Sequence, residues 1–101
     1  MMNKLEFLLV NLAEECSEVQ QAATKAIRFG LNNPVPGKAG KTNKDDILTE
    51  FYHVAALMEM LQQYGYIDKP EYYKALNMKR NKKNRISRVL DKMFKKDDRK
   101  E

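Results

Sequence analysis

Apolar residues recur at intervals of three and four through the first part of the chain: Leu5, Leu8, Leu9, Leu12, Val19, Ala22, Ala23, Ala26 and Ile27. That spacing gathers them on one stripe of a helix. It predicts a long first helix from about Asn3 to Phe29, ended by Gly30, which suits a left-handed cap. Asn32 to Lys41 contains Pro34, Pro36, Gly37 and Gly40 and reads as a loop. Thr42 or Asn43 then caps a second helix, with Asp45 and Asp46 in its first turn, where the helix dipole favours acids. Its apolar stripe is Ile47, Phe51, Val54, Leu57, Met58 and Leu61, and Gly65 ends it.

Asp68 and Pro70 read as the cap and first-turn proline of a third helical region, with Tyr72, Tyr73 and Leu76 on its buried side. From Lys79 to Arg85 there is no large apolar residue, so the helix either breaks there or is exposed. Ile86, Val89, Leu90, Met93 and Phe94 restore helical spacing to about Lys95, and Lys96 to Glu101 reads as a frayed tail. No segment alternates as a strand does. The expectation is one all-α domain over residues 1–95, an antiparallel bundle of three to four helices built from αα-hairpins, with 96–101 a charged tail.

A chain of 101 residues supports one small core, so burying a helix face against a second copy is expected, as a homodimer or homotetramer. With 43% hydrophobic and 33% charged residues it reads as a folded helical protein. Charges interrupt every apolar stretch before it reaches membrane-spanning length, and no signal-peptide pattern opens the sequence. Cys16, the single cysteine, has no intrachain disulfide partner. These features point to the cytoplasm and away from a membrane. The net charge of +5 is unevenly spread. Residues 1–70 hold seven Lys/Arg against nine Asp/Glu, and residues 71–101 hold twelve against five. An acidic half precedes a basic one.

The acidic residues do not all fall where solvent would receive them. Glu14, Glu15 and Glu18 form a Glu-Glu-x-x-Glu run, and Glu15 falls on the stripe of Leu5, Leu8, Leu12, Val19 and Ala22. On the second helix Glu50 lies in line with Ile47, Val54, Leu57 and Leu61, with His53 three residues on and Asp46 one turn before. Antiparallel packing would set Glu15/Glu18 opposite Glu50/His53. Carboxylates buried without partners are costly or shift their pKa values, so a cluster of them calls for cations. An oxygen-rich set favours Mg²⁺ or Mn²⁺. The plainer alternative pairs these glutamates at the surface with lysines such as Lys4, Lys25 and Lys44.

Leu12-Ala13-Glu14-Glu15-Cys16-Ser17-Glu18-Val19-Gln20-Gln21-Ala22, followed by Arg28-Phe29-Gly30, resembles the first helix of the MazG-like all-α nucleoside triphosphate pyrophosphohydrolases. The family signature is Glu-Glu-x-x-Glu, a loop, then Glu-x-x-Asp. Asn43 to Leu61, with Glu50-Phe51-Tyr52-His53-Val54, resembles the second helix. The likeness covers about residues 5–65 and extends more weakly into the basic C-terminal helix. It implies metal ligation by Glu15, Glu18 and Glu50, with Glu14 assisting or holding a water. His53 stands where the family has aspartate. A lone histidine on a packing face is more often a hydrogen-bonded core residue than a ligand. Here it either serves that role, binds metal through a ring nitrogen with a preference shifted toward Mn²⁺, or marks a weakened site. Asp46 is a candidate to replace the missing carboxylate.

The resemblance implies conversion of a nucleoside triphosphate to the monophosphate and pyrophosphate. The base that orients the attacking water would be Glu14 or Glu18. Lys79, Arg80, Lys82, Lys83, Arg85 and Arg88 place six cations in ten residues, and Lys79, Lys82 and Arg85 share a face. With Lys25 and Arg28 they are the candidates to bind the triphosphate. Asn11, Phe7, Phe51 and Tyr52 are candidates for the base pocket, although aromatic residues on a helix usually serve the core. Two readings compete: a nucleic-acid-binding module using the basic run, and a helical protein-interaction module without catalysis. The first leaves the glutamates on a packing face unexplained, and the second predicts that they can be replaced by neutral residues without loss of function.

Overall fold

The computed structural model describes residues 1–94. The anticipated tail, 96–101, and the last residue of the anticipated final helix, Lys95, lie outside them. The described residues form three helices and no strand: α1 (Lys4–Phe29), α2 (Asn43–Gln63) and α3 (Tyr72–Phe94). The class is all-α. None of these helices is long and apolar enough to cross a membrane.

α1 begins in a capping box. The Asn3 side chain accepts from the Glu6 N–H at 2.8 Å, and the Glu6 carboxylate accepts from the Asn3 N–H at 3.0 Å, so two otherwise unpaired donors are satisfied together. At the far end Gly30 donates to the Ala26 carbonyl at 2.9 Å. Its φ of 96° is positive as anticipated, but its ψ of 140° is extended. Gly30 therefore turns the chain outward instead of closing a left-handed cap, and the Asn33 side chain reaches back to the Phe29 carbonyl.

The connecting segment folds onto the start of α2. Val35 donates to Lys41 at 2.8 Å, Pro34 and Thr42 form an isolated bridge, and Val35 is buried. The N–H groups of Asn43 and Lys44, unpaired within their own helix, donate to the carbonyls of Asn33 and Leu31, both at 2.9 Å. Thr42 and Asp45 form a second capping box. Asp45 accepts from the Thr42 hydroxyl at 2.8 Å and from its N–H at 3.2 Å. The Thr42 hydroxyl bond first, then the Thr42 backbone bond, hold the Asp45 carboxyl below its ordinary value. α2 closes on Gly65, φ 78°, with Tyr66 donating to Leu61 at 2.9 Å and Gly65 to Gln62 at 3.0 Å. This is the paired-bond arrangement that a glycine past the helix end permits.

α1 and α2 pack as an antiparallel hairpin. The Asn43 amide donates to the Gly30 carbonyl at 2.8 Å at one end, and Lys4 lies over the Tyr64 ring, 4.3 Å from its centroid, at the other. Leu8, Ala22 and Leu61 are buried between them. Phe51, expected on the packing stripe, is 54% exposed, and Ile27 is 85% exposed. At about 100° per residue, positions 50, 54, 57 and 61 keep facing α1 while 51 turns to the flank. The same rotation carries 27 away from 22 and 26.

Contacts divide the chain after Asp68 into a hairpin unit and a unit beginning at Lys69. Within the second, α3 runs unbroken through Lys79–Arg85. Lysine, arginine and asparagine there include no glycine or proline to interrupt it. Its first bond runs from the Ala75 N–H to the Glu71 carbonyl at 3.0 Å, so Pro70 precedes the helix instead of occupying its first turn. Asp68 stands further back still and caps nothing. No α3 residue is buried, and Tyr72 and Tyr73, expected on a buried side, are exposed. Their rings meet edge to face, 5.2 Å between centroids. The basic run separates the apolar residues at the two ends of α3, so no continuous stripe exists to bury.

Candidate metal centre

Halfway along the hairpin, Glu15 of α1 faces Glu50 and His53 of α2. His53 Nδ1 lies 3.1 Å from Glu50 Oε1 and 3.7 Å from Glu15 Oε1, and one donor atom from each side chain falls within 4.8 Å of the others. The elements explain the convergence. Glu15 continues the Leu8 to Ala22 side of α1, Glu50 continues the Val54 to Leu61 side of α2, and His53 sits one turn along from Glu50. Burial is graded: the Glu50 side chain is 13% exposed, that of Glu15 29% and that of His53 51%. The site is lined by helix on one side and open to solvent on the other.

Among the described residues no lysine or arginine pairs with Glu15 or Glu50. Lys4, offered above as a surface partner, lies over the Tyr64 ring. The carboxylates therefore converge on an imidazole alone, and two negative charges with three donor atoms suit a divalent cation. The chemistry of this donor set, two partly buried carboxylates and one imidazole with no lysine or arginine beside them, is the observation on which the fit of a metal rests.

The other candidates fall around this cluster unevenly. Glu14 and Glu18 are exposed and are not part of the three-residue group. Of the two facing pairs expected, only Glu15 meets Glu50 and His53. In antiparallel helices Glu18 and His53 step away from Glu15 and Glu50 in opposite directions along the hairpin, and Glu18 stays outside the group. Asp46, a candidate to add a carboxylate to this group, does not join it. It is buried beneath the loop, with Lys38 Nζ 3.6 Å from its Oδ1. Lys25 is half-buried, and the Arg28 guanidinium stands over its neighbour Phe29, 5.0 Å from the ring centroid. Lys79, Lys82 and Arg85 are exposed on α3.

Of the base-pocket candidates, Phe7, Phe51 and Tyr52 are all exposed, and Asn11 donates its amide to the Phe7 carbonyl at 2.8 Å. Phe51 and Tyr52 meet edge to face, 5.2 Å between centroids. A shallow depression lined by Met1, Met2, Glu6, Leu9 and Val10 lies on the side of α1 away from Glu15. The Lys38–Asp46 pair was not anticipated. Lys38 sits in a loop where periodicity carries no information, and only the closure of Val35 on Lys41 brings it to α2. Comparison with protein-family models, with curated proteins and with solved structures finds no match to this chain.

Proposed function

We propose that this chain is a metal-dependent pyrophosphohydrolase that converts nucleoside or deoxynucleoside triphosphates to the monophosphate and pyrophosphate, with a hairpin of MazG-like type at its centre. The convergence of Glu15, Glu50 and His53 across α1 and α2, with no lysine or arginine paired to the carboxylates among the described residues, is the observation that carries this reading. Mg²⁺ or Mn²⁺ bound there would neutralise charge on the phosphates and on the departing pyrophosphate.

The chain's own groups account for the rest. Glu14 or Glu18, exposed beside Glu15, accepts the proton of the attacking water as its oxygen bonds to the α-phosphorus. The bond from that phosphorus to the bridging oxygen breaks, and pyrophosphate leaves. Lys25 and Arg28 lie along α1 beyond the carboxylates, and Lys79, Lys82 and Arg85 line one face of α3. Of these, Lys25 and Arg28, on the same unit as the carboxylates, are assigned to the triphosphate. A cytoplasmic setting, in which the exposed Cys16 thiol stays reduced, belongs to the same reading.

A second copy belongs to the same proposal. Ile27 and Phe51 occupy the flank of the hairpin opposite His53, large and apolar and left uncovered, and a homodimer or homotetramer would bury them. The α3 cations, all exposed, favour one rival: binding to a nucleic acid through a basic helix.

The discriminating experiment incubates each NTP and dNTP with Mg²⁺ or Mn²⁺ and separates the products by chromatography. Monophosphate with pyrophosphate, abolished by EDTA, is the expected result. No turnover with either metal, together with salt-dependent DNA binding that persists in Glu15→Gln, would give the chain to the rival reading.

A further inference from the structure

His53 Nδ1 points at two carboxylate oxygens, and a bare nitrogen lone pair facing two acceptors is repulsive. Something positive belongs between them, either a proton or a metal ion. A single proton serves one hydrogen bond well. It suits Glu50 at 3.1 Å and leaves the Glu15 oxygen at 3.7 Å without one. A dication satisfies all three donors at once and cancels both carboxylate charges.

The spacing agrees with that occupant. Nitrogen and oxygen donors held about 2.1 Å from one ion, at angles of roughly 90–110°, stand about 3.0–3.4 Å apart. The His53–Glu50 separation falls within that range, and the His53–Glu15 separation stands a few tenths of an ångström beyond it. Imidazole also discriminates among ions. Mg²⁺ takes near-octahedral oxygen shells and keeps several waters, whereas imidazole suits first-row transition metals, whose affinity for mixed nitrogen and oxygen sets rises across the row. Glu50 and His53 form a Glu-x-x-His pair on one helix facing a glutamate from another, the spacing by which helical bundles hold iron and manganese.

We infer that the α1–α2 hairpin is a site for a first-row transition-metal dication, ligated by His53 Nδ1 with Glu15 and Glu50, which takes Mn²⁺ or Co²⁺ in preference to Mg²⁺. The inference shares its side chains with the hydrolytic reading but does not require it, and its test contains no nucleotide.

The full chain, stripped of metal, is titrated with Co²⁺ while its visible absorption is followed, then challenged with Mg²⁺. Mn²⁺-loaded protein is examined by pulsed electron paramagnetic resonance for coupling to a ligand nitrogen. The expected result is Co²⁺ and Mn²⁺ binding at least tenfold tighter than Mg²⁺, with nitrogen coupling in the wild type. In His53→Asp and His53→Gln, each checked for helix content by circular dichroism, that coupling disappears and the preference over Mg²⁺ contracts toward parity.

Displacement of Co²⁺ by equimolar Mg²⁺, nitrogen coupling that survives both substitutions, or no binding of any of the three ions would overturn the inference. The last outcome would mean that a proton bridges His53 and Glu50. Metal held through His53 by a protein that turns over no nucleotide would remove the hydrolase reading alone. Turnover in a protein that prefers Mg²⁺ would remove this inference alone.

Discussion

His53 on α2 reaches across the helix pair to Glu15 on α1, its Nδ1 3.7 Å from the carboxylate Oε1. This approach, across the middle of the two helices, marks where chemistry is expected. Replacing Glu15 or Glu50 with glutamine keeps size and hydrogen bonding but removes a charge. Each substitution is expected to lower turnover of the preferred nucleotide by about 10²-fold, the scale seen when a preorganised electrostatic stabiliser is lost. The double variant should lose little more than either single one, because the residues act as a unit. Near-normal rates in both single variants, measured by pyrophosphate release, would take the active centre away from this cluster.

Lys38 and Asp46 make a separate prediction about the loop. Asp46 is 4% exposed, and its Oδ1 has no hydrogen bond, only the Lys38 ammonium at 3.6 Å. Lys38→Ala leaves that carboxylate sealed without its counter-charge and is expected to cost about 1 kcal/mol, at the low end for a stranded polar group because the lysine is half exposed. In urea unfolding, Lys38→Ala combined with Asp46→Asn should be less destabilised than the sum of the single changes. Additive single and double values would show that the pair does not interact.

The cap of α2 sets a pH dependence. The Asp45 carboxyl is held below its ordinary value of 3.8, chiefly by the Thr42 hydroxyl and then by the Thr42 N–H. A depressed folded-state pKa means the unfolded chain binds the proton more readily. The contribution is therefore complete above the unfolded value and is lost as pH falls through the lower, folded one. Asp45→Asn should be less stable than wild type at pH 7 and pH 5, with the gap closing below about pH 4, near the unfolded carboxylate value. Thr42→Ala should cost about 1 kcal/mol at neutral pH. A gap independent of pH would assign the effect of Asp45 to shape and not to charge.

The uncovered flank predicts assembly. Ile27 and Phe51 are 85% and 54% exposed, and sedimentation velocity at micromolar concentration should find the wild type as a dimer or tetramer. Phe51→Glu or Ile27→Glu should shift it to monomer while helix content is kept. A monomeric wild type would show that the flank is left to solvent.

Much of the architecture was legible because it is local. The spacing of Leu8, Leu12, Val19 and Ala22, and of Val54, Leu57 and Leu61, places two helices, and Thr42 and Gly65 mark the limits of the second. Helix periodicity, capping and glycine stops depend on neighbours a few residues away, so the chain states them by itself. It also marked Glu15, Glu50 and His53 as polar side chains on a packing stripe, which only required counting turns.

Tertiary structure decided which of those side chains meet. Glu18 and Glu15 share a helix face in the sequence, yet the rotation and offset of α1 against α2 bring in Glu15 and leave Glu18 exposed. Asp46 looked equivalent to the cluster residues by spacing, but a loop that closes Val35 on Lys41 covers it and gives it Lys38 instead. Phe51 and Glu50 are adjacent in the chain, and a turn of about 100° between them separates the flank from the seam. The continuity of α3 through its basic run has a local cause, since Lys79–Arg85 holds no glycine or proline, and Tyr72 and Tyr73 at its start are exposed. Periodicity shows that a side chain shares a face with others, but whether that face is covered depends on contacts made by residues distant in sequence.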